Sequence, residues 1–312
     1  MKVLGHKNLL NIKMRTAIIF GGSGFIGVNL IPKLLEKNFR VKIVTRDKEK
    51  SAFLKTFAGP EFLSLVGWNY EKASDLEKII KDGDVVINLV GILAENHRGD
   101  FKKYHTDLPA KIAEECKKQK VQHFVHISAL AADKAVNSKY AISKVGGEKL
   151  VLANFPDATI LRPSIIFGPQ DNFFRKFART ARTLRILPLI NNGETKFQPV
   201  YVEDLTEIIC KIVCGKKTPA RIYEIGGDKV YSFKRLMELV SSYVGKDVKF
   251  ANLQFYQANL VAFFLEIITK KILTRDQVEL LKTDNVLSED NFKKDFSINP
   301  KSVEEIVPNY IF

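Results

Sequence analysis

Cysteine is scarce in this chain. Its 312 residues include three cysteines, Cys116, Cys210 and Cys214, and none of them belongs to a Cys-x-x-Cys pair or to a cysteine and histidine cluster. An odd number of thiols in this arrangement provides neither a disulfide framework nor the ligand set of a structural zinc site. We therefore expect a reduced protein without a bound metal.

Long apolar runs are missing as well. No run approaches the roughly 20 residues that a membrane-spanning helix needs. The nearest candidate, residues 258–268, is short and contains Glu266. We expect no transmembrane helix here; the segment predicts either a core helix, which we favour, or a helix that binds a membrane surface or a partner.

Acidic residues are outnumbered by basic ones. The chain has 35 Asp and Glu against 49 Lys and Arg, a formal net charge of +14. This excess indicates either a lysine-rich solvated surface, which we favour, or an anionic partner. Helix-turn-helix, zinc and RNA-binding aromatic patterns are absent, so nucleic acid is not an expected partner.

A glycine-rich segment, Phe-Gly-Gly-Ser-Gly-Phe-Ile-Gly at residues 20–27, stands between an apolar strand pattern and a helical pattern. In a GxxGxxG loop of this kind, Gly21 permits the tight turn, Gly24 lets the backbone approach a pyrophosphate, and Gly27 allows close helix packing. The helix N-terminus then presents amide donors to the phosphates. The predicted dinucleotide contacts are Gly21, Ser23, Gly24, Phe25, Ile26 and Gly27.

Strand and helix patterns alternate along the first half of the chain. Strands are predicted at 16–20, 40–45, 62–66, 84–90, 122–128 and 158–162, and helices at 25–37, 74–81, 101–119 and 138–153. Such alternation predicts an α/β fold, a Rossmann-type doubly wound parallel sheet. Beyond it we expect a smaller, mostly helical C-terminal lobe with helices near 173–186, 203–214, 232–243, 252–272 and 275–282.

These patterns also suggest how the chain divides. We expect an N-terminal extension at 1–13, a dinucleotide-binding domain at 14–168 and a C-terminal lobe at 169–312 that provides a substrate or partner surface. Residues 199–225 are expected to return to the first domain, and 215–220 are expected to form a linker-like turn.

Tyr140 and Lys144 form a YxxxK pair at the start of a predicted helix, after a strand that ends at Ser128. Residues at i and i+4 share one helix face. An ammonium beside a phenol favours the phenolate, so Tyr140 is the predicted general acid/base and Lys144 its partner, which also holds a nicotinamide ribose.

With both motifs in place, the chain resembles the extended short-chain dehydrogenase/reductase superfamily over residues 14–312. More narrowly, it resembles the atypical branch that contains the NADPH-binding accessory subunit of respiratory complex I. The segments that carry the narrower resemblance are 20–27, 86–93, 126–130, 158–169, 197–204 and 273–281. The resemblance implies that Asn88, Gly91, Arg162 and Pro163 contribute to cofactor binding.

The chain departs from the catalytic members of that superfamily at two positions. Only Ser128 is available as the catalytic hydroxyl, and His105 stands where the usual helix asparagine is expected. Loss of one donor to the reacting oxygen commonly costs a few kcal/mol of barrier. The pair Tyr140 and Lys144 can hold a cofactor without turnover, while His105 as a substitute proton relay is a less favoured alternative.

Cofactor choice is indicated at the end of the second strand. Thr45 and Arg46 stand where an acid would bind the ribose 2′-hydroxyl of NAD(H), and a hydroxyl and a guanidinium suit a 2′-phosphate. The sequence predicts NADP(H) over NAD(H), which stays possible. Alternatively, Arg46 pairs locally with Asp47.

A basic stripe runs along the helix predicted at 173–186. Arg175, Arg179 and Arg182 stand opposite a set of mostly apolar residues, Phe174, Phe177, Ala181 and Leu184. The stripe indicates either a solvated outer face, which we favour, or a surface that docks on anionic lipid or on an acidic subunit.

Three functions remain open from the sequence. The favoured one is an NADP(H)-binding accessory or assembly subunit of respiratory complex I with little or no catalysis, peripheral at the cytoplasmic or mitochondrial-matrix face of the inner membrane. The alternative is an NADP-dependent reductase or epimerase acting on a sugar-like or a lipid- or quinone-related substrate. The third is a module that senses the redox state of its cofactor.

Overall fold

A computed structural model describes residues 14–70, 75–215, 218, 221–245, 247–268 and 273–311. The predicted N-terminal extension at 1–13 and most of the predicted turn at 215–220 lie outside these residues. The strands are β1 (Arg15–Phe20), β2 (Phe39–Thr45), β3 (Leu63–Gly67), β4 (Val85–Asn88), β5 (His123–Ile127), β6 (Thr159–Pro163), β7 (Ile166–Phe167), β8 (Ile186–Ile190), β9 (Lys196–Phe197), β10 (Val200–Tyr201), β11 (Ile222–Ile225), β12 (Tyr231–Ser232) and β13 (Lys249–Leu253).

The helices follow the same order along the chain. They are α1 (Phe25–Glu36), α2 (Leu76–Ile80), α3 (Leu108–Lys118), α4 (Lys139–Asn154), α5 (Phe174–Leu184), α6 (Val202–Val213), α7 (Phe233–Val244), α8 (Phe255–Ile268), α9 (Arg275–Leu280), α10 (Asn291–Phe296) and α11 (Val303–Ile306). A π-helical turn, Lys102–Asp107, leads directly into α3.

Seven strands form one parallel sheet in the order β3-β2-β1-β4-β5-β6-β11. Both faces are covered, which explains why the strands are apolar throughout: Ala17 and Ile19 pack on the side of α1 and α6, while Ile18 and Phe20 pack on the side of α2 and α3. The predicted doubly wound α/β fold is confirmed. Strand order reverses between β1 and β4, and ligands of such sheets bind in the crevice at that point.

Residues 202–213 and 222–225 contribute to this sheet layer: α6 packs against α1, and β11 pairs with β6. The boundary between 168 and 169 stays a prediction. In the remaining lobe, α5 and α7 pack around a cluster with Phe174 and Leu236 at its centre. Leu184 was expected on the apolar face of α5 but is 65% exposed, since the helix ends there.

Helix α8 is apolar on more than one face. Its small residues Ala258 and Ala262 are buried, whereas Tyr256, Leu260 and Phe264 are exposed by 72%, 59% and 55%. It begins at Phe255 and not at residue 252, because 249–253 pair as β13 with β8. The core-helix expectation therefore holds for one face only. Within the described ranges, no helix has the length and apolarity to cross a membrane.

Candidate nucleotide-binding and catalytic site

The loop between β1 and α1 leaves no room for side chains at its glycines. Gly21 has a φ of +76°, and a Cβ there would lie 3.1 Å from the backbone nitrogen of Val90. A Cβ at Gly27 would lie 2.2 Å from the carbonyl oxygen of Gly22. At these two positions the backbone of the loop therefore faces the crevice between β1 and β4 without a side chain.

The N-terminus of α1 opens at the same place. Gly24 is its N-cap, and no side chain caps the first turn. A helix N-terminus with free amides and a positive dipole is a suitable cradle for a phosphate. The loop thus fits the pyrophosphate of a dinucleotide, and Ser23, which is half-buried, lies between the two glycines of the turn.

A cavity of about 450 Å³ continues from this helix end along the carboxyl ends of the strands. It brings together residues that the sequence predicted from separate motifs, namely Phe25, Ile26, Gly91, Ser128, Tyr140, Lys144 and Pro163. The other predicted contacts do not line it: Gly21, Ser23, Gly24, Gly27, Arg46, Asn88 and Arg162. Whether the lining residues bind a cofactor or catalyse a reaction stays a proposal.

The Tyr140–Lys144 pair has the expected proximity but not the expected acidity. Lys144 Nζ lies 5.9 Å from the centre of the Tyr140 ring and donates to the Ile127 carbonyl at 3.1 Å. Burial lowers the pKa of Lys144 to about 8. Burial and then the Asp276 carboxylate raise the pKa of Tyr140 to about 12, opposite to the shift expected from the neighbouring ammonium, and the general acid/base role of Tyr140 stays a prediction.

Ser128 lies at the end of β5 and is 4% exposed. Its hydroxyl oxygen has no hydrogen-bond partner among the described residues, and the same is true of His126 Nε2. A buried hydroxyl without a partner costs free energy unless something else bonds to it. Ser128 lines the cavity with Tyr140 and Lys144, although its hydroxyl oxygen is itself buried.

His105 is not placed to relay protons. Its Nε2 accepts from the amide of Ile92 at 3.0 Å, and its Nδ1 lies 2.9 Å from Ser143 Oγ, which itself donates to the Tyr140 carbonyl. Burial, together with Lys144 and His126, lowers the pKa of His105 to about 2. The ring stays neutral, with both nitrogens bonded, so it fixes the loop after β4.

Asn88 also fixes the loop after β4. Its side chain is fully buried; Oδ1 accepts from the amide of Val90 at 3.2 Å and Nδ2 bonds to His126 Nδ1 at 3.1 Å. In this structure the side chain is inaccessible and positions the loop, while a direct cofactor contact of Asn88 stays a prediction. Asn88 and His105 together hold Gly91 at the cavity wall.

Arg162 was expected near the nicotinamide, and its guanidinium is bonded to two carboxylates. Its Nε and one terminal nitrogen bond to the carboxylate of Glu148 at 2.9 and 2.6 Å, and the other terminal nitrogen bonds to Asp133 at 2.6 Å. These carboxylates raise the pKa of Arg162. The guanidinium ties β6 to α4, the helix that carries Tyr140 and Lys144.

Arg46 projects from the end of β2 and is exposed. Its guanidinium carbon lies 5.8 Å from the ring centre of Tyr70 and 5.5 Å from that of Tyr104, so two aromatic rings hold it in place. Asp47 pairs with Lys50 at 3.1 Å, so the alternative of an Arg46–Asp47 pair is not seen. The Thr45 hydroxyl, by contrast, is buried against Ser51.

The sequence reasoning missed Asp276. This residue of α9 receives three hydrogen bonds at the start of α4: from Ser138 Oγ at 2.9 Å, from the amide of Lys139 at 2.7 Å and from the amide of Tyr140 at 3.2 Å. A carboxylate at a helix N-terminus also interacts favourably with the helix dipole. Nothing local to residues 138–140 signals this contact, since its partner is 136 residues away.

Asp276→Ala is expected to lower the free energy of unfolding by about 1 to 2 kcal/mol, the range for loss of a helix cap. Nucleotide affinity should fall as well, because the first turn of α4 carries Tyr140. Urea denaturation and NADPH titration measure the two effects. Glu279→Gln on the same helix, which removes only a pair with Lys282, is the control; equal losses in both variants would contradict the capping role.

The chain matches a known protein family and several known proteins. The family described as the NAD dependent epimerase/dehydratase family matches residues 17–226. Among curated proteins, the chain is 26% identical over 298 residues to the mitochondrial NADH-ubiquinone oxidoreductase 40 kDa subunit of Neurospora crassa, covering 95% of this chain and 78% of that protein.

Two further relatives differ in what their names describe. The chain is 31% identical over 226 residues to the mitochondrial NADH dehydrogenase [ubiquinone] 1 alpha subcomplex subunit 9 of Mus musculus, covering 72% of this chain and 60% of that protein. It is 27% identical over 201 residues to a ceramide reductase of Caulobacter vibrioides, covering 64% and 61%.

Solved structures show the same fold. A dTDP-glucose 4,6-dehydratase of Streptomyces venezuelae, solved with NAD bound, superimposes with a TM-score of 0.73 at 17% identity and covers 95% of both chains. A UDP-glucose 4-epimerase of Thermotoga maritima superimposes with a TM-score of 0.71 at 18% identity, over 95% of this chain and 97% of that one.

Proposed function

Because this chain belongs to the NAD dependent epimerase/dehydratase family, we propose that its cavity holds a nicotinamide dinucleotide. We further propose that the protein is an accessory or assembly subunit of respiratory complex I with little or no catalysis of its own. Support for the second step comes from relatives named as subunits of that NADH:ubiquinone oxidoreductase.

The proposal is supported by one observation: a glycine loop and helix N-terminus suited to a dinucleotide lie near a Tyr140–Lys144 pair that is poorly suited to catalysis. The glycine loop and the α1 N-terminus have the shape that a dinucleotide requires. The Tyr140 phenol, however, has a pKa of about 12, far from the neutral range in which a general acid/base works best. His105, which replaces the usual asparagine, is bonded at both nitrogens. Such a site retains a cofactor more readily than it turns one over.

A subunit also needs a surface for its neighbours, and α8 offers one. Tyr256, Leu260 and Phe264 expose large apolar side chains on one short helix. Contiguous exposed apolar groups in a folded protein mark an interaction site. In the proposed assembly this face meets a partner subunit or the membrane, with the protein peripheral at the cytoplasmic or matrix face of the inner membrane.

The test is isolation of the tagged native protein from gently solubilised membranes. Stoichiometric recovery of complex I subunits supports the proposal. Recovery of the protein free of those subunits, at the same detergent concentration at which complex I stays intact, would overturn it.

For the cofactor we propose NADP(H) in preference to NAD(H), carried by the Arg46 guanidinium at the end of β2. Arg46→Ala is expected to weaken NADPH binding about tenfold, or about 1.4 kcal/mol, and to leave NADH binding unchanged. Isothermal titration with both nucleotides measures the difference. Arg40→Ala, at the other end of the same strand, is the control. An unchanged margin between NADPH and NADH would contradict the assignment.

A second candidate function is a reductase or epimerase acting on a sugar-like or a lipid- or quinone-related substrate. It is favoured by one observation: Tyr140, Lys144 and the unpartnered Ser128 hydroxyl line the same cavity. Tyr140→Phe separates the two functions. If the Tyr140→Phe protein loses its function in cells but still binds NADPH, the enzyme function is supported. If it keeps full function in cells, the role as a cofactor-holding subunit is supported.

A further inference from the structure

A second cleft of about 790 Å³ lies beside the candidate cofactor cavity, and it is strongly basic. Four cationic side chains line it: Arg175, Lys176, Arg179 and Arg182, all from α5. The predicted basic stripe therefore lines this cleft, and Arg175 and Arg179 are exposed in it, which also agrees with the expectation of a solvated face.

Arg175 and Arg179 provide the cationic excess of this cleft, since Arg182 bonds to the Ile311 carbonyl. The cleft's one acidic lining residue, Asp171, is already bonded, because its carboxylate accepts from the amides of Phe173 at 2.9 Å and Arg175 at 3.3 Å and from the Tyr310 hydroxyl. In the described part of the chain no carboxylate forms an ion pair with Arg175 or Arg179. A concave site with such a cationic excess attracts anions.

The two cavities adjoin. Ile92, Leu93 and Asn172 line both the basic cleft and the cavity that contains Tyr140 and Lys144. A ligand that passes these three residues would extend from the side of Tyr140 to the arginines of α5.

The part of the first cavity away from the glycine loop is apolar. Its walls include Ala129, Leu130, Phe173, Phe197, Leu280 and Leu281. Two of its polar side chains bond to each other, since Ser164 Oγ donates to Asn285 Oδ1 at 2.6 Å, and Asn285 Nδ2 donates to the Leu130 carbonyl at 2.9 Å. Few groups remain to recognise the hydroxyls of a sugar, and an apolar chain fits the walls.

We propose that the two adjoining cavities bind one amphiphile. Its apolar body lies between Leu130, Phe173 and Leu280 beside Tyr140, and its phosphate-type head group lies between Arg175 and Arg179. This inference goes beyond the proposed function, because it holds whether or not the protein joins complex I and whether or not the ligand reacts.

The test is titration of the full chain, with NADPH present, with octyl, decyl and dodecyl phosphate below their micelle concentrations. Affinity should rise about threefold to fourfold per added methylene until the cavity is full, as expected for about 0.8 kcal/mol per buried CH₂. The double variant Arg175→Gln/Arg179→Gln should bind every alkyl phosphate at least tenfold more weakly. The control variant Arg185→Gln, just beyond the end of α5 and outside the cleft, should bind them with unchanged affinity.

Three outcomes would overturn the proposal. Inorganic phosphate that binds as tightly as dodecyl phosphate would show a simple anion site. UDP-glucose that binds more tightly than any alkyl phosphate would show a sugar-nucleotide site. Binding to vesicles of phosphatidic acid without binding to monomeric alkyl phosphates would show a membrane surface. Retained NADPH binding in each experiment separates these failures from failure of the cofactor proposal.

Discussion

Gly27→Ala is expected to abolish dinucleotide binding, with at least a hundredfold loss of affinity, or about 2.7 kcal/mol. The added methyl group would lie 2.2 Å from the carbonyl oxygen of Gly22, which is backbone and cannot rotate away. Helix α1 would have to move from the loop, and its N-terminal amides would move with it. Overpacking of this kind also destabilises a fold by about 1 to 3 kcal/mol.

Titration with NADPH and urea denaturation of the same samples measure both effects. Gly67→Ala is the control, because its methyl group would meet only the flexible, exposed side chain of Lys48. A Gly27→Ala variant that binds NADPH like the Gly67→Ala variant would show that the helix N-terminus does not hold the pyrophosphate.

Arg162→Met is expected to lower the free energy of unfolding by about 3 to 5 kcal/mol, because it leaves a buried carboxylate without its partner. Glu148 is 3% exposed, and Arg162 forms two hydrogen bonds with it. Methionine keeps most of the side-chain volume, so the loss reports on the charge and not on a cavity. Nucleotide affinity should also fall, since α4 loses its attachment to β6.

A surface pair offers a matched control. Arg221 bonds to Asp157 at 2.7 Å, but their side chains are 51% and 76% exposed, and such pairs contribute about 0 to 1 kcal/mol. Arg221→Met should therefore change stability little. Addition of Glu148→Gln to the Arg162→Met variant should recover part of the loss, and equal effects of the two arginine replacements would contradict the buried-pair argument.

Most of the fold could be predicted from the sequence because the patterns that indicate strands and helices are local. Apolar strands alternate with helical patterns, and each predicted sheet strand lies within about two residues of the observed one. The exceptions are in the C-terminal lobe. No strand was predicted between residues 186 and 197, where β8 pairs with β13 and β9 pairs with β12, because pairing between distant segments leaves no local pattern.

The site was only partly readable, for the same reason. Gly21, Gly24 and Gly27 could be assigned because their spacing and flanking elements determine their conformation. The acidity of Tyr140 could not, since it depends on burial and on Asp276 from another lobe. Nor could the role of Arg162, whose partners become visible only once α4 lies against β6.

The hydrogen bonds from the start of α4 to Asp276 bear on how the protein is made. Synthesis proceeds at about 5 to 20 residues per second, so residue 276 leaves the ribosome on the order of ten seconds after Tyr140. Until then the helix that carries Tyr140 and Lys144 has its local cap from Ser138 but lacks the three hydrogen bonds to Asp276, although the strands on either side of it are complete. A nascent or C-terminally truncated chain that ends before α9 should have the glycine loop but not a finished site.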